Sequence, residues 1–139
     1  MVLAGGYFNI FHRGHIRYLR EAKRLGDRLI VHVHRQRCSR KHKGYAVLTT
    51  ADKVEILEAF SFVDDVWVCT RKCDGTIVEA LERVRKEYPD CQIILAKGGD
   101  RTPENMPKSE IEACKRLNIE IVYGVGGGKV ASSSWYLKT

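Results

Sequence analysis

The order of residues predicts an α/β fold, one doubly wound domain built on a five-stranded parallel sheet. Short apolar runs of β-forming residues alternate with amphipathic stretches along the whole chain, and capping or glycine signals mark the changes of period. No linker, internal repeat or low-complexity tract divides residues 1–139. A length of 139 residues with 44% apolar composition supports one core and leaves no room for a second. Strands that alternate with helices are joined by crossovers, which make the sheet parallel and cover both its faces.

Val2-Leu3-Ala4 is the first strand. Ile16, Leu19, Ala22 and Leu25 recur at helical spacing and mark one face of a helix that starts near Arg13 and stops at Gly26. Leu29-Ile30-Val31-His32-Val33 is the second strand. Residues 35–44, Arg35-Gln36-Arg37-Cys38-Ser39-Arg40-Lys41-His42-Lys43-Gly44, read as a mobile basic loop. Thr50 is the expected N-cap of a helix carrying Val54, Leu57 and Phe60, and Val66-Trp67-Val68-Cys69 is the third strand. Thr76 and Glu79 are spaced as a capping box for a helix through Leu81, Val84 and Tyr88 that Pro89 ends. Gln92 to Ala96 is the fourth strand, Ser109 with Glu112 opens another helix, and Ile119 to Tyr123 is the fifth strand. In such sheets ligands lie beyond the carboxyl ends of the strands, at the switch point beside the first one.

A net charge of +7 favours anionic ligands, whether nucleotides, sugar phosphates or nucleic acid. No apolar run approaches the length of a membrane span, and the chain opens on its first strand with no charged-then-apolar leader, so the expectation is a cytoplasmic protein with no membrane partner. The 5 cysteines, Cys38, Cys69, Cys73, Cys91 and Cys114, have no paired Cys-x-x-Cys spacing. They support neither a disulfide framework nor a zinc knuckle and are expected as reduced thiols.

The most informative segment follows the first strand: Gly6-Tyr7-Phe8-Asn9-Ile10-Phe11-His12-Arg13-Gly14-His15. Gly14 lets backbone approach a ligand, the helix starting near Arg13 aims unpaired N–H groups outward, and two imidazoles add donors. An anion fits there; the alternative is that His12 and His15 merely cap the helix or fill a core edge. Three further segments follow strand ends and carry phosphate-binding chemistry. One is the basic stretch 35–44. Another is Lys97-Gly98-Gly99-Asp100-Arg101-Thr102-Pro103-Glu104-Asn105, where the paired glycines permit close approach and Asp100 and Arg101 can bind a ribose, base or phosphate. The third is Gly124-Val125-Gly126-Gly127-Gly128-Lys129-Val130-Ala131-Ser132-Ser133-Ser134. Its serines compete for backbone bonds in a helix interior but suit a first turn beside phosphate.

This glycine run is not a P-loop, because Tyr123 stands where the first glycine belongs and Val130 follows the lysine. Nor is it a dinucleotide fingerprint, which has glycine at the position of Lys129 and follows the first strand. A zinc site from His12, His15, His32 and His34 is set aside as well: His32 and His34 share one strand face as packing or substrate-facing residues, and no carboxylate or thiolate is spaced as a companion ligand.

Taken in order, Gly6-x-Phe8-Asn9-x-x-His12-x-Gly14-His15, Leu25-Gly26-Asp27, Lys43-Gly44, Val63-Asp64-x-Val66, Gly98-Gly99-Asp100 and Ser132-Ser133-Ser134 resemble the cytidylyltransferase-like nucleotidyltransferase family over essentially the whole chain. Lys97-Gly98-Gly99-Asp100 is most similar to the heptose 1-phosphate adenylyltransferase branch, and the compact length to glycerol-3-phosphate cytidylyltransferase. The resemblance implies a Rossmann-like domain over residues 1–139. It also implies transfer of a nucleoside monophosphate from ATP or CTP to a phosphorylated small molecule, a sugar or polyol phosphate, releasing pyrophosphate with Mg²⁺ as cofactor. Carried over by position, His12, His15 and Lys43 are catalytic. Tyr7, Phe8, Asn9, Gly14, His15, Gly99, Asp100, Arg101, Asn105, Gly124, Lys129, Ser132, Ser133 and Ser134 bind the nucleotide. The metal's ligands stay unassigned, and a homodimer is allowed. This chain has Asn9 where the family usually has Asp, Arg35 and Gln36 where it has an acidic residue, and Lys53 in place of an arginine.

The residues agree with that chemistry on their own terms. A substrate phosphate with a second pKa of about 6 already carries anionic oxygens, so its attack on the α-phosphorus needs no general base. Alignment of two polyanions and stabilisation of developing charge suffice. Two other classes stay open: a catalytically silent nucleotide-binding sensor, for which Asn9 speaks, and a nucleic-acid-binding protein, against which stands the clustering of basic residues in one segment without interleaved aromatics.

Overall fold

The computed structural model describes residues 1–70 and 74–127, with the side chain of His42 left out. Five strands, β1 (Val2–Gly6), β2 (Leu29–Val33), β3 (Asp65–Val68), β4 (Ile94–Gly98) and β5 (Glu120–Val125), form one sheet in the order β3-β2-β1-β4-β5. Every pairing is parallel. Five helices connect them: α1 (Arg13–Arg24), α2 (Gln36–Lys43), α3 (Thr50–Ala59), α4 (Val78–Glu87) and α5 (Lys108–Arg116). Side chains alternate across β1, so Val2 and Ala4 face one side with Leu19 and Ala22 of α1 and Leu57 of α3, while Leu3 faces the other with Leu81 and Val84 of α4 and Ala113 of α5. This is the doubly wound arrangement that the alternating pattern predicts.

The chain order reverses direction between β1 and β4, and their pairing is short. Register holds for Val2↔Ile94 and Leu3↔Leu95 only. Above Leu3 the hydroxyl of half-buried Tyr18 fills the gap, accepting from Gly5 N–H at 3.3 Å and donating to Ala96 O at 2.7 Å. The strands therefore part into a crevice at their carboxyl ends, where this class of fold places its ligands.

Residues 36–43 depart from the expected loop: they form α2, an eight-residue helix closed by Gly44 in the left-handed region, φ 79°. Its per-residue polarity gave no sign of this, because the helix is held from outside. Gln36 N–H donates to Thr50 Oγ1 at 3.0 Å. The ammonium of Lys53, 0% exposed, donates to His34 O at 3.0 Å and Ser39 Oγ at 2.8 Å, tying α3 to the end of β2 and to the buried face of α2. Thr49, not Thr50, caps α3, in a reciprocal box with Asp52. The box expected of Thr76 and Glu79 is not formed: Thr76 bonds to Asp74, and Glu79 turns back to Thr70 N and Oγ1 at 2.9 and 2.7 Å. Pro107 stands at the N-cap of α5, one residue before its first turn, and buried Glu110 accepts from Ile77 N–H instead of serving its own helix end. Cys69, Cys91 and Cys114 are free thiols, whereas Cys38 is disulfide-bonded, which corrects the expectation of reduced thiols throughout; α2, unforeseen, is what carries that sulfur into the interior.

Burial holds the Lys53 ammonium's pKa down to about 8, a mark of how fully it has left water. Lys53→Ala should cost on the order of 3 kcal/mol, since it removes a buried stem and orphans two acceptors. Chemical denaturation measures the loss, and limited proteolysis should show new cleavage between residues 36 and 43. Equal stability and an unchanged digest would refute the anchoring role.

Candidate functional site

The β1–α1 turn is built from the histidines themselves. His12 is the N-cap of α1, with extended backbone at φ −146°, and its Nδ1 accepts from Gly14 N–H at 3.1 Å. His15, at the third helical position, returns the bond: its Nδ1 accepts from His12 N–H at 3.3 Å. This is a capping box made of two imidazoles in place of Ser and Glu. It has a chemical consequence. An Nδ1 that accepts a hydrogen bond carries no proton, so each neutral ring holds its proton on Nε2 and presents an Nε2–H donor away from the backbone it caps. The rings stack at 3.9 Å between centroids. Burial, then the neighbouring His12, pushes the His15 pKa down to about 4, so His15 is neutral at ordinary pH. The capping set out above is present, made by the two Nδ1 atoms.

Beneath the histidines, Phe8 is buried at 2% exposure and meets the His15 ring edge-on at 5.1 Å. Phe8 therefore supports His15 from below. It adopts φ 49°, an uncommon conformation for a phenylalanine that the turn imposes. The next residue, Asn9, is 3% exposed, and its Oδ1 has no hydrogen-bond partner among the described residues. An orphaned buried acceptor costs roughly 1–3 kcal/mol.

Beside this turn a cavity of about 220 Å³ opens at the β1–β4 crevice, lined by Gly5, Gly6, Tyr7, Tyr18, His32, His34, Lys43, Lys97, Gly98, Asp100, Arg101 and Glu110 among others. Tyr7 stacks on His34 at 4.3 Å, and Lys43 Nζ lies over the Tyr7 ring at 5.0 Å, so α2 brings Lys43 to this cavity. Lys97 is not a bare phosphate ligand: its Nζ pairs with buried Glu110 at 2.7 Å. Asp100 and Arg101 line the mouth, while Gly99 and Asn105 are exposed on the same turn. Asn105 uses both ends of its amide within that turn, Nδ2 donating to Asp100 O at 2.9 Å and Oδ1 accepting from Thr102 N–H at 2.8 Å. These bonds shape the loop. Gly124 lies in β5 with φ 69°. Lys129, Ser132, Ser133 and Ser134 lie outside the described residues.

Sequence reasoning missed Tyr18, Glu110 and the α2 anchor Lys53, whose partners are distant in sequence. His32 and His34 were legible as one face of a strand, and that face is the cavity wall. The zinc reading set aside for want of a thiolate companion needs correction for His34: Cys38 and Cys69 both offer sulfur to it, the ligand atoms lying within 4.8 Å of one another.

Three comparisons bear on this site. The cytidylyltransferase-like family model matches residues 3–125. An FAD synthase of Pyrococcus abyssi is 41% identical over 122 residues, 87% of this chain and 77% of that protein. The bifunctional protein HldE of Syntrophotalea carbinolica is 32% identical over 129 residues, 91% of this chain but 24% of that much longer protein. Among solved structures, the lipopolysaccharide core biosynthesis protein of Thermoplasma volcanium superposes with a TM-score of 0.67 at 27% identity, covering 88% of this chain and 92% of the other.

His15 couples the site to acid stability. The folded pKa near 4 lies below the ordinary value of 6.5, so between these the unfolded chain binds a proton that the native one refuses. The associated stability is complete above pH 6.5 and is lost as pH falls toward 4, on the order of 2 kcal/mol after allowing for partial exposure. His15→Gln keeps an acceptor for the cap and should flatten denaturation midpoints across that window. An unaltered pH dependence would contradict the neutral, capping imidazole.

Proposed function

Because the chain belongs to the cytidylyltransferase-like family and is a nucleotidyltransferase, we propose that it moves the adenylyl group of ATP onto the phosphate of a phosphorylated small molecule, releasing pyrophosphate. The observation that carries this reading is the reciprocal His12–His15 cap, which fixes two Nε2–H donors at the N-terminus of α1. Those donors, the helix dipole and the Lys43 ammonium on α2 address the triphosphate. They stabilise charge as it builds on the α-phosphate and the departing pyrophosphate. The acceptor's own phosphate oxygen attacks, so no side chain need act as base. Gly99, Asp100 and Arg101 bound the nucleoside end, and Lys129 with Ser132, Ser133 and Ser134 receive the outer phosphates.

Mg²⁺ supplies further charge neutralisation on the triphosphate when bound. The turn offers it Asn9 Oδ1, a hard and otherwise unsatisfied oxygen, and no carboxylate. The charge balance of the ion then falls to the phosphates themselves, and Asn9 contributes orientation without charge.

The FAD synthase relatives point to flavin mononucleotide as acceptor, a polyol phosphate carrying a planar ring. A sugar phosphate is the second reading, favoured by the likeness to the lipopolysaccharide core biosynthesis protein. Pyrophosphate release, measured for ATP and CTP against flavin mononucleotide, sugar 1-phosphates and glycerol 3-phosphate, separates them. ATP with flavin mononucleotide should yield pyrophosphate and FAD together; silence from every pair would end the proposal.

In whichever pair is active, His15→Ala should lower kcat by roughly 10² to 10⁴, the range for loss of one preorganised donor or proton-transfer partner, and Lys43→Ala by about 10² to 10³. Stopped-flow turnover of folded variants checks both. A folded His15→Ala enzyme with native turnover would remove the imidazoles from the mechanism.

A further inference from the structure

A second cluster of reactive groups lies behind the cavity wall, where the ends of β2, α2 and β3 meet. His34 follows β2, Cys38 lies in the first turn of α2, and Cys69 follows β3; they are 6%, 0% and 4% exposed. One ligand atom from each falls within 4.8 Å of the others. We propose that His34, Cys38 and Cys69 form a binding site for a thiophilic divalent cation, zinc by preference, held by one imidazole nitrogen and two thiolates. The proposal is independent of the acceptor's identity.

The spacing of the sulfurs suits a metal once the Cys38 disulfide is reduced. Two sulfurs bonded to one tetrahedral zinc at about 2.3 Å stand about 3.8 Å apart; Cys38 Sγ and Cys69 Sγ are 3.6 Å apart. The imidazole is held in place by other contacts, stacked on Tyr7 at 4.3 Å and met edge-on by His32 at 5.2 Å. Metal ligands are commonly oriented this way by their surroundings. Arg35 N–H donates to Cys69 Sγ at 3.3 Å, and the buried Lys53 ammonium, which donates to His34 O and Ser39 Oγ, lies near Cys69. Nitrogen and sulfur donors in a dry site select zinc over magnesium or calcium, which take oxygen.

Three protein ligands leave one tetrahedral position for water or an anion. Because the ligands come from three elements, the ion would tie β2, β3 and α2 together and so set where α2 holds Lys43. The Cys38 sulfur cannot serve a disulfide and a metal at once, so the site belongs to the reduced chain.

Full-length protein is reduced with a phosphine, loaded with zinc under anaerobic conditions, passed through a desalting column, and its metal counted by plasma mass spectrometry. Wild type should retain about one zinc per chain, as should Cys91→Ser, which changes an exposed thiol. Cys38→Ser, Cys69→Ser and His34→Ala should each lose at least nine-tenths of it. Should any of them misfold, cobalt added to the wild type decides: strong visible ligand-field bands with sulfur-to-cobalt charge transfer support the site. No retained zinc, zinc retained equally by Cys38→Ser and wild type, or a weak octahedral cobalt spectrum would overturn it.

Discussion

The parting of β1 from β4 is the constraint on which the site depends. Parallel strands ordinarily continue their ladder, and Gly5 N–H and Ala96 O would be left without partners in the interior once it stops. One phenolic hydroxyl satisfies both, because it donates and accepts at the same time. Tyr18 thus holds the strands apart at a fixed width while leaving no buried group unpaired there. Phenylalanine at this place would fill the volume but orphan two backbone groups. The crevice exists because a side chain has replaced a rung of the sheet.

The same α1 helix that supplies Tyr18 begins with the histidine cap, so the floor and the rim of the crevice share one rigid body. Its entry is expensive locally: Phe8 at positive φ and Asn9 with an orphaned oxygen both oppose folding. Packing of Phe8 against Phe11 and His15 offsets this from below. A turn that is destabilised in polar groups and supported by aromatic contact is preorganised for something polar to arrive.

Elements whose causes are local were legible in the sequence, and those whose causes are distant were not. Leu29 to Val33 was read to the residue because a buried β-branched run is its own signal. The histidine turn was legible for the same reason, since donor and acceptor are three residues apart. Residues 36–43 were misread because nothing in a basic run reveals that Lys53 will reach back to anchor it. Tyr18 finds Ala96 across 78 positions, and Lys97 finds Glu110 only when α5 docks. Thr76–Glu79 shows the converse error: the spacing of a cap was present, but Thr70 offered Glu79 a hydroxyl and an N–H together.

The neutrality of His15 decides what kind of help the turn can give. A charged imidazolium would attract the triphosphate strongly before any bond changes, and binding that is equal in ground and transition states does not raise turnover. A neutral Nε2–H, held by its cap and kept neutral by burial and by His12, donates one directed hydrogen bond whose strength grows with the charge on the oxygen it meets. Long-range attraction is left to the exposed cations, Lys43 and Arg101, which are screened and exchange readily with solvent. In the proposed reaction steering and stabilisation would thereby be divided, with charge at the rim drawing the substrate in and uncharged donors at the helix end acting where the bond is made.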